Sequence, residues 1–480
     1  MSKKKQKSIE ELLEEALVPE EEQPYIVPKN WVWTRTGIIH EIVTGATPSK
    51  KNNEYYGGNF PFVKPGDLDQ EDSVIVASEY LTDKGKEVSR IIPKHSTLVC
   101  CIGSIGKTGF NLVECTTNQQ INSLIPNKKA IYPKYTYYFS LSSTYQNLLL
   151  KSSSSTTVSI INKSKMSKLP FTLPPLNEQK RIVDKIERLF AKIVEAKRLI
   201  EEVKESVELR RAAILDRAIR GELVKQSSLD DSADILLEYI KMKRDFLVKQ
   251  KKIHKEKNLP ILGLDELRHN IPENWIWVRL GEVIELISGR DVSVKECNND
   301  GVGVPYIMGA SNIMDDTLII ERWITKPSVV GKKGDILLSV KGTVGKVVIQ
   351  EVEECHLSRQ IMGLRPMEGV YGRYLKIFIQ TYVQVLKEKS KGVIPGISRE
   401  DILLAPFPLP PYNEQKRIAE KVDFLLSNLD REKEMVLEVE EKLDLLKQSI
   451  LSQAFRGELG TNDPNDEHAI ELLKEVLKSK

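Results

Sequence analysis

One loop in this sequence has the residue types of a phosphate-binding turn. Residues 105–108 read Ile-Gly-Lys-Thr. A phosphate-binding loop needs Gly, four residues and then Gly-Lys-Ser/Thr, so that backbone N–H groups surround the anion. Cys101 stands where the first glycine is required, and the similar loop at 342–346 is followed by Val347. The pattern therefore favours a tight turn between strands over an ATP site.

Other patterns with catalytic potential are also incomplete. Residues 409–412, Leu-Pro-Pro-Tyr, are similar to a methyltransferase motif in which Asn, Asp or Ser precedes Pro-Pro and accepts from the target amine. A leucine cannot accept that hydrogen bond. The six histidines show no metal-ligand spacing, and the five cysteines form no Cys-x-x-Cys pair. We predict no catalytic residue, metal or cofactor, although a nuclease built from paired carboxylates stays open.

Composition limits the class of protein. The chain has 480 residues and a formal net charge of +3, so a nucleic-acid partner would need a local basic patch. A sparse, odd set of cysteines suits a reducing compartment. The N-terminus lacks the apolar core of a signal peptide, and no apolar run reaches membrane-spanning length. These features predict a cytoplasmic protein with no membrane partner.

Two copies of one segment would position any functional residues. PPLNEQKRI at 174–182 returns as PPYNEQKRI at 410–418, with eight of nine residues identical. AIRGEL at 218–223 returns as AFRGEL at 454–459, at the same offset of 236. Between these ends, apolar residues recur at alternating gaps of four and three, the heptad pattern of a coiled coil. We predict two helices of about 43 residues, each roughly 65 Å long.

These helices need a partner for their apolar stripes, and the simplest partner is the other copy, paired antiparallel. A generic dimerisation coil is the alternative. The predicted seam includes Val203, Val439 and Leu446. The residues proposed for pairing of the helices and subunits are Ile186, Leu189, Ile193, Val422, Leu425 and Leu429.

The globular segments repeat as well. PKNWVWTRTG at 28–37 matches PENWIWVRLG at 272–281, and the GSIGK loop at 103–107 matches GTVGK at 342–346. The two copies share these short motifs, while most residues between the motifs differ. This is expected when one scaffold serves two recognition tasks. The predicted fold class is α+β: two tandem mixed α/β domains, each followed by a long helix, with the helices forming an antiparallel coiled coil of pseudo-twofold symmetry.

This set of duplicated motifs resembles the specificity subunits of type I restriction–modification systems. The resemblance implies two target-recognition domains, no catalysis, and three kinds of partner: double-stranded DNA, methyltransferase subunits and restriction/translocase subunits. The expected order is an N-terminal arm (1–27), target-recognition domain 1 (28–173), long helix 1 (174–223), a helical linker (224–271), target-recognition domain 2 (272–409), long helix 2 (410–460) and a C-terminal tail helix (461–480).

DNA contact requires polar and basic side chains at base edges and phosphates. Taken singly, each candidate is more often an ordinary solvated or structural side chain. The candidates in the first domain are Lys64, Arg90, Ser104, Lys107, Asn118, Gln119, Gln120 and Lys151. Those in the second are Arg290, Lys341, Thr343, Lys346, Arg359, Gln360, Lys389 and Lys391.

The functional hypothesis is therefore a DNA-binding adaptor that reads a bipartite target and sets the specificity of methylation and restriction. The main alternative is a self-contained methyltransferase or nuclease fused to the same recognition scaffold. The incomplete catalytic motifs argue against it. A scaffold that binds no DNA is a third hypothesis, and it would require that no duplex is bound even with the partner subunits present.

Overall fold

A computed structural model describes residues 7–153, 159–254, 259–314, 316–389 and 396–479. The chain divides into two compact units. The first contains Met1–Ile200 and Glu438–Lys480, and the second contains Glu201–Leu437. Each long helix contributes one part to each unit.

The first half of the chain alternates short helices and strands before its long helix. In chain order its elements are α1 (Ile9–Ala16), β1 (Val32–Arg35), α2 (Thr36–Ile39), β2 (His40–Thr44), β3 (Tyr56–Val63), β4 (Glu79–Leu81), α3 (Asp83–Glu87), β5 (Thr97–Cys100), β6 (Thr108–Phe110), β7 (Thr116–Thr117), β8 (Ile121–Pro126), α4 (Pro133–Leu141), α5 (Ser143–Ser152), α6 (Lys163–Ser167), β9 (Pro170–Leu173) and α7 (Leu176–Ile219).

The second half follows the same plan with more short strands. Its elements are α8 (Ala233–Lys249), β10 (Ile276–Arg279), α9 (Leu280–Val283), β11 (Ile284–Ser288), β12 (Cys297–Asn298), β13 (Val304–Ile307), β14 (Ile313–Met314), β15 (Thr317–Leu318), β16 (Trp323–Ile324), β17 (Val330–Lys332), β18 (Ile336–Ser339), β19 (Val347–Ile349), β20 (Glu354–Leu357), β21 (Ile361–Pro366), α10 (Gly372–Lys389), α11 (Arg399–Leu403), β22 (Pro406–Leu409), α12 (Tyr412–Arg456) and α13 (Ala469–Lys478).

An antiparallel four-stranded sheet organises each unit. In the first its order is β2-β8-β5-β6, and in the second it is β11-β21-β18-β19. The central strands β5 and β18 are buried along their whole length, as their apolar, β-branched sequences predict. In each unit a short two-stranded pair, β1-β9 or β10-β22, leads directly into a long helix. The predicted duplication of a mixed α/β domain is therefore confirmed.

The long helices pair antiparallel inside each unit. In the first, the Nζ atom of Lys197 lies 2.6 Å from Oδ1 of Asp444. In the second, Arg210 pairs with Glu432 at 2.6 Å and Lys433 with Glu208 at 3.3 Å. Rising numbers on α7 thus face falling numbers on α12, which confirms the predicted antiparallel pairing.

Burial along the helices follows the seam only in part. Ile186, Ile193, Val422 and Leu429 are buried, whereas Leu189 and Leu425 are half-buried. The predicted seam is wrong at three further positions, where Val203, Val439 and Leu446 are 39%, 46% and 47% exposed. Where no domain surrounds the two paired helices, much of the surface of each helix is exposed to water. Ion pairs join the two helices in this exposed part.

The first and last described helices meet in the first unit. Helix α1 packs against α13. The Ser8 hydroxyl caps α1 by accepting from the N–H of Glu11, and the Glu11 carboxylate accepts from the N–H of Ser8. Leu12 and Leu13 of α1 pack with Leu473 of α13 in the same apolar cluster.

Candidate nucleic-acid interface

A buried glutamine attaches each long helix to the domain that precedes it. The Gln179 side chain accepts a hydrogen bond from the backbone N–H of Tyr132 at 2.8 Å and donates to two backbone oxygens at 2.9 Å. Gln415 repeats this arrangement, accepting from the N–H of Tyr371 at 2.7 Å and donating to two backbone oxygens. The repeated glutamine of the NEQKR motif is thus a fixed joint between helix and domain.

The arginine of the same motif attaches the start of each helix to the segment that follows the other helix. In the first unit Arg181 forms an ion pair with Asp466, and its Nε atom donates to the backbone oxygen of Thr461 at 2.8 Å. In the second unit Arg417 pairs with Asp230 at 2.6 Å. Within each unit, the motif arginine therefore links the start of one long helix to the segment that follows the other long helix.

The motif glutamates are buried beside these arginines. Burial raises the pKa of Glu178, while hydrogen bonds from Thr461 and Arg181 lower it. Burial also raises the pKa of Glu414, and the Asn274 amide, which donates to Oε2 of this carboxylate at 3.4 Å, opposes the rise. Each carboxylate accepts hydrogen bonds inside its joint, so its role is structural.

Glycine at the end of each long helix is required by close packing. Gly221 and Gly457 have φ values of +73° and +76°. A Cβ atom at Gly221 would lie 2.4 Å from Pro272, and one at Gly457 would lie 2.3 Å from Pro28. The RGEL ends therefore pack against the prolines that precede the two Asn-Trp-x-Trp motifs, which explains why these distant motifs occur together.

Replacing Gln179 with Ala should destabilise the first unit by about 2–4 kcal/mol, since it removes hydrogen bonds and leaves the N–H of Tyr132 buried without a partner. Gln415→Ala should have a similar effect in the second unit. Asn177→Ala is the control, because Asn177 is exposed on the same helical turn. Urea denaturation measures the differences, and an unchanged midpoint for Gln179→Ala would contradict the assigned joint.

Three loop segments meet at one edge of the four-stranded sheet in the first unit. They are residues 44–47 after β2, 101–107 after β5 and 118–120 before β8. The Cys101 N–H donates to the backbone oxygen of Gln120 at 2.7 Å. We call these three segments the first strand-end surface.

Most predicted contact residues of the first domain lie on or beside this surface. Ser104 and Gln119 are exposed. Asn118 is buried, and its side-chain oxygen accepts from the N–H of Gln120 at 3.1 Å, so Asn118 shapes the turn. The Gln120 side chain accepts from the Asn118 amide at 3.0 Å.

The basic candidates of this domain already have protein partners. Lys107 pairs with Asp69 at 2.8 Å, and Lys64 pairs with Glu79 at 2.7 Å. The Arg90 guanidinium donates to a backbone oxygen at the end of β2. A phosphate bound by either lysine would have to compete with its carboxylate partner.

The second unit has an equivalent surface. Residues 288–290 after β11, 340–346 after β18 and 358–360 before β21 meet at the matching edge of its sheet. The Val340 N–H donates to the backbone oxygen of Gln360 at 2.8 Å. We call these segments the second strand-end surface.

The candidate side chains on the second strand-end surface differ in whether they already have a protein partner. Arg290, Lys341, Thr343 and Gln360 are exposed. The Lys346 ammonium donates to the backbone oxygen of Ile313 at 2.7 Å. Arg359 pairs with Asp291 at 2.6 Å. Within the described ranges, the Lys341 ammonium has no hydrogen-bond or ion-pair partner.

Three candidates are not brought to these surfaces by any described contact. Lys151 is exposed in the last turn of α5. Lys389 is the last residue of α10, and Lys391 lies outside the described residues.

Sequence reasoning missed part of the first strand-end surface. The Thr47 hydroxyl donates to the Gln119 side-chain oxygen at 2.5 Å. Lys50 and Lys51 follow in the same loop and are exposed. The run of two lysines and two asparagines at 50–53, shortly after β2, was the available signal.

Three of the five cysteines are buried thiols unsuited to nucleophilic chemistry. Burial raises the pKa values of Cys101, Cys115 and Cys355 to about 12, so these thiols stay protonated near neutral pH. In the part of the chain that the structure describes, no group of three or more His, Cys, Asp or Glu side chains could hold a metal ion.

The type I restriction modification DNA specificity domain family matches residues 28–205 and 272–441. These stretches include both strand-end surfaces and most of both long helices. The chain belongs to this family. Specificity subunits of type I systems are non-catalytic DNA-recognition subunits, which confirms the expectation taken from the duplicated motifs.

Individual relatives agree with the family assignment. The chain is 26% identical over 285 residues to the type I restriction enzyme MjaIX specificity subunit of Methanocaldococcus jannaschii, a match that spans 58% of each protein. It is 24% identical over 457 residues to the EcoKI specificity subunit of Escherichia coli strain K12, covering 90% of both.

The fold is similar to that of a solved chain from work on complex assembly and conformational transition of the type I R-M system. The TM-score is 0.68 at 24% identity, and the match covers 91% of this chain and all of the other. Among the helices within the described ranges, none has the length and apolarity needed to cross a bilayer.

Proposed function

We propose that this specificity subunit reads a bipartite duplex target in the cytoplasm, with one half assigned to each strand-end surface. The observation that carries the proposal is that the two units share one backbone scaffold but present different exposed side chains. The two sheets have the same strand order, and the same backbone contacts build both edges. The exposed side chains differ, because Ser104 and Gln119 face solvent in one unit and Lys341 and Arg359 in the other.

Base reading and phosphate binding are assigned to different side chains. Gln119 and Gln360 are exposed amides on the turns before β8 and β21, and an amide can form two hydrogen bonds with adenine. Lys341 and Lys107 lie on the glycine-rich turns and supply charge for phosphates. Phosphate contacts fix the position of the protein on the duplex, and the amides supply specificity.

The long helices offer the surface for methyltransferase and restriction/translocase subunits. On the first unit Val194 and Leu445 are 68% and 71% exposed, and on the second Leu209 and Phe424 are 73% and 57% exposed. Large apolar side chains that recur in water along a helix mark a site for protein contact. We therefore propose that partner helices cover these residues in the assembled complex.

The direct test of this function is methylome sequencing of the source cell with and without the chain. Loss of one split motif, restored by the gene on a plasmid, is the expected outcome. The purified chain alone should show no methyltransferase, nuclease or ATPase activity. Turnover that a point mutation in this chain abolishes would instead support a fused enzyme.

Lys341→Ala should weaken duplex binding to a similar degree for specific and non-specific sequences. Loss of one phosphate contact should reduce the slope of log affinity against log salt concentration by about 0.9. Fluorescence anisotropy of the complex with its methyltransferase, between low and moderate salt, measures this slope. Lys333→Ala is the control, because Lys333 is exposed but pairs with Glu353 away from the strand-end surface. A changed recognition motif would show that Lys341 reads a base.

A further inference from the structure

A cavity of about 450 Å³ in the first unit has no role in the proposed function. It lies beside the end of β6, the loop before α4 and the first turns of α4 and α7. Phe110, Leu112, Ile131 and Tyr132 supply apolar and aromatic walls. This volume and this lining are those of a small-molecule site.

Basic side chains surround the cavity. His95, Lys128, Lys134 and Lys180 line it. Lys134 is neutralised by an ion pair with Glu187. Among the described residues, none forms an ion pair with Lys128 or Lys180, so their two charges are available to a ligand.

The helix ends add to this positive potential. Pro133 and Lys134 are the first two residues of α4, and Leu176 is the first residue of α7. All three line the cavity, and the start of an α-helix carries partial positive charge. An anion entering the cavity would therefore meet two unpaired ammonium groups and two helix N-termini.

His95 is held in an unfavourable backbone conformation at the edge of the cavity. Its φ is +68°, in the left-handed region, and its N–H donates to the backbone oxygen of Asn111 at 2.7 Å. The second unit forms the same turn with Gly334, at φ +93°, whose N–H donates to the backbone oxygen of Gln350. Glycine adopts this conformation without strain, so the first unit accepts at His95 a backbone strain that the second unit avoids.

The His95 ring is placed to contact a ligand. It stacks on Phe110 with ring centroids 5.9 Å apart and an interplanar angle of 7°. Burial lowers the pKa of the imidazole, and the nearby Lys94, Lys128 and Lys134 lower it further. An anion in the cavity would offset the positive charge that lowers this pKa.

We propose that this cavity binds a small aromatic phosphate monoester of the nucleoside monophosphate class. Lys128 and Lys180 bind the phosphate, and the aromatic ring packs against the half-buried Leu112 and Tyr132. A free ligand fits better than duplex DNA, because a base within a duplex would have to leave its stack to reach these apolar walls.

Among the described residues, the matching region of the second unit differs at both lysine positions. The backbone N–H groups of Asn127 and Met367 donate to the last residues of α2 and α9, so these two positions correspond. The first unit has one more residue between this position and Tyr132 than the second has before Tyr371, and Lys128 has no one-to-one counterpart. Lys416, which corresponds to Lys180, lies with its ammonium over the Tyr412 ring at 4.5 Å. The proposal therefore predicts one ligand per chain.

Isothermal titration of the full chain tests the site. The probes are adenosine monophosphate, phenyl phosphate, inorganic phosphate and uncharged adenosine. Adenosine monophosphate should bind at one per chain and more tightly than either inorganic phosphate or adenosine. The double variant His95→Gly/Lys128→Met, which removes the imidazole and one ammonium group, should weaken binding at least tenfold. Lys416→Ala is the matched control and should stay within twofold of the parent chain.

Failure of the proposal has distinct signs. It is overturned if neither adenosine monophosphate nor phenyl phosphate binds saturably, or if the double variant binds them as the parent chain does. It is also overturned if the double variant loses affinity for duplex DNA while the parent binds no free nucleotide, since the phosphate would then belong to DNA. Lys180→Ala gives a second variant without a backbone change.

Histidine NMR supplies a readout that a structural role would not produce. Bound phosphate should raise the pKa of the His95 imidazole, whereas adenosine should leave it unchanged. No change in His95 titration with saturating adenosine monophosphate would place the ligand elsewhere and refute the assignment.

Discussion

Exchanging residues 28–173 for the first domain of another specificity subunit will replace one half of the methylated motif and leave the other half unchanged. All three segments of the first strand-end surface lie inside the exchanged range, and none of the second does. The expected effect is complete, because every proposed base contact of one half-site is replaced together. Methylome sequencing of cells that co-express the cognate methyltransferase measures the result.

The exchange must preserve the joint with α7. The incoming domain therefore needs a proline and tryptophan at its start to meet Gly457, and a free backbone N–H to meet Gln179. Exchange of residues 272–409 is the reciprocal control and should alter only the other half. A continuous motif, or a change at both halves after either exchange, would contradict the assignment of one half-site to each unit.

Ile186→Lys should cost about 3–5 kcal/mol of unfolding free energy, since it buries a charge with no partner. Ile186 is fully buried in the apolar cluster that also contains Ile450 and Leu451 of α12. Val422→Lys should have a comparable effect in the second unit, where Val422 is 1% exposed. Urea denaturation followed by circular dichroism gives both values.

A charge on the outer face of the same helix separates stability from assembly. Val194 is 68% exposed, so Val194→Lys should change the unfolding free energy by no more than about 0.5 kcal/mol. It should nevertheless weaken co-purification with the methyltransferase subunit if partner helices cover that face. Equal midpoints for Ile186→Lys and Val194→Lys would mean that the helices do not pair as described.

The sequence by itself determined the architecture, because its signals are local and duplicated. The heptad spacing after PPLNEQKRI and PPYNEQKRI predicted the helices now found at Leu176–Ile219 and Tyr412–Arg456. The matched loops at 103–107 and 342–346 predicted that two domains share one scaffold. Repetition made weak motifs decisive, since the same spacing arising twice by chance is improbable.

Only the tertiary structure decided what the individual side chains do. Asn118 and Ser104 are both polar loop residues, yet one is buried within its turn and the other faces solvent. Arg181 meets Asp466 only because the helices pair antiparallel. Likewise, the strain at His95 is visible only in its backbone angle. Burial, ion pairing and backbone strain depend on residues far apart in the chain, so local sequence patterns carry no direct record of them.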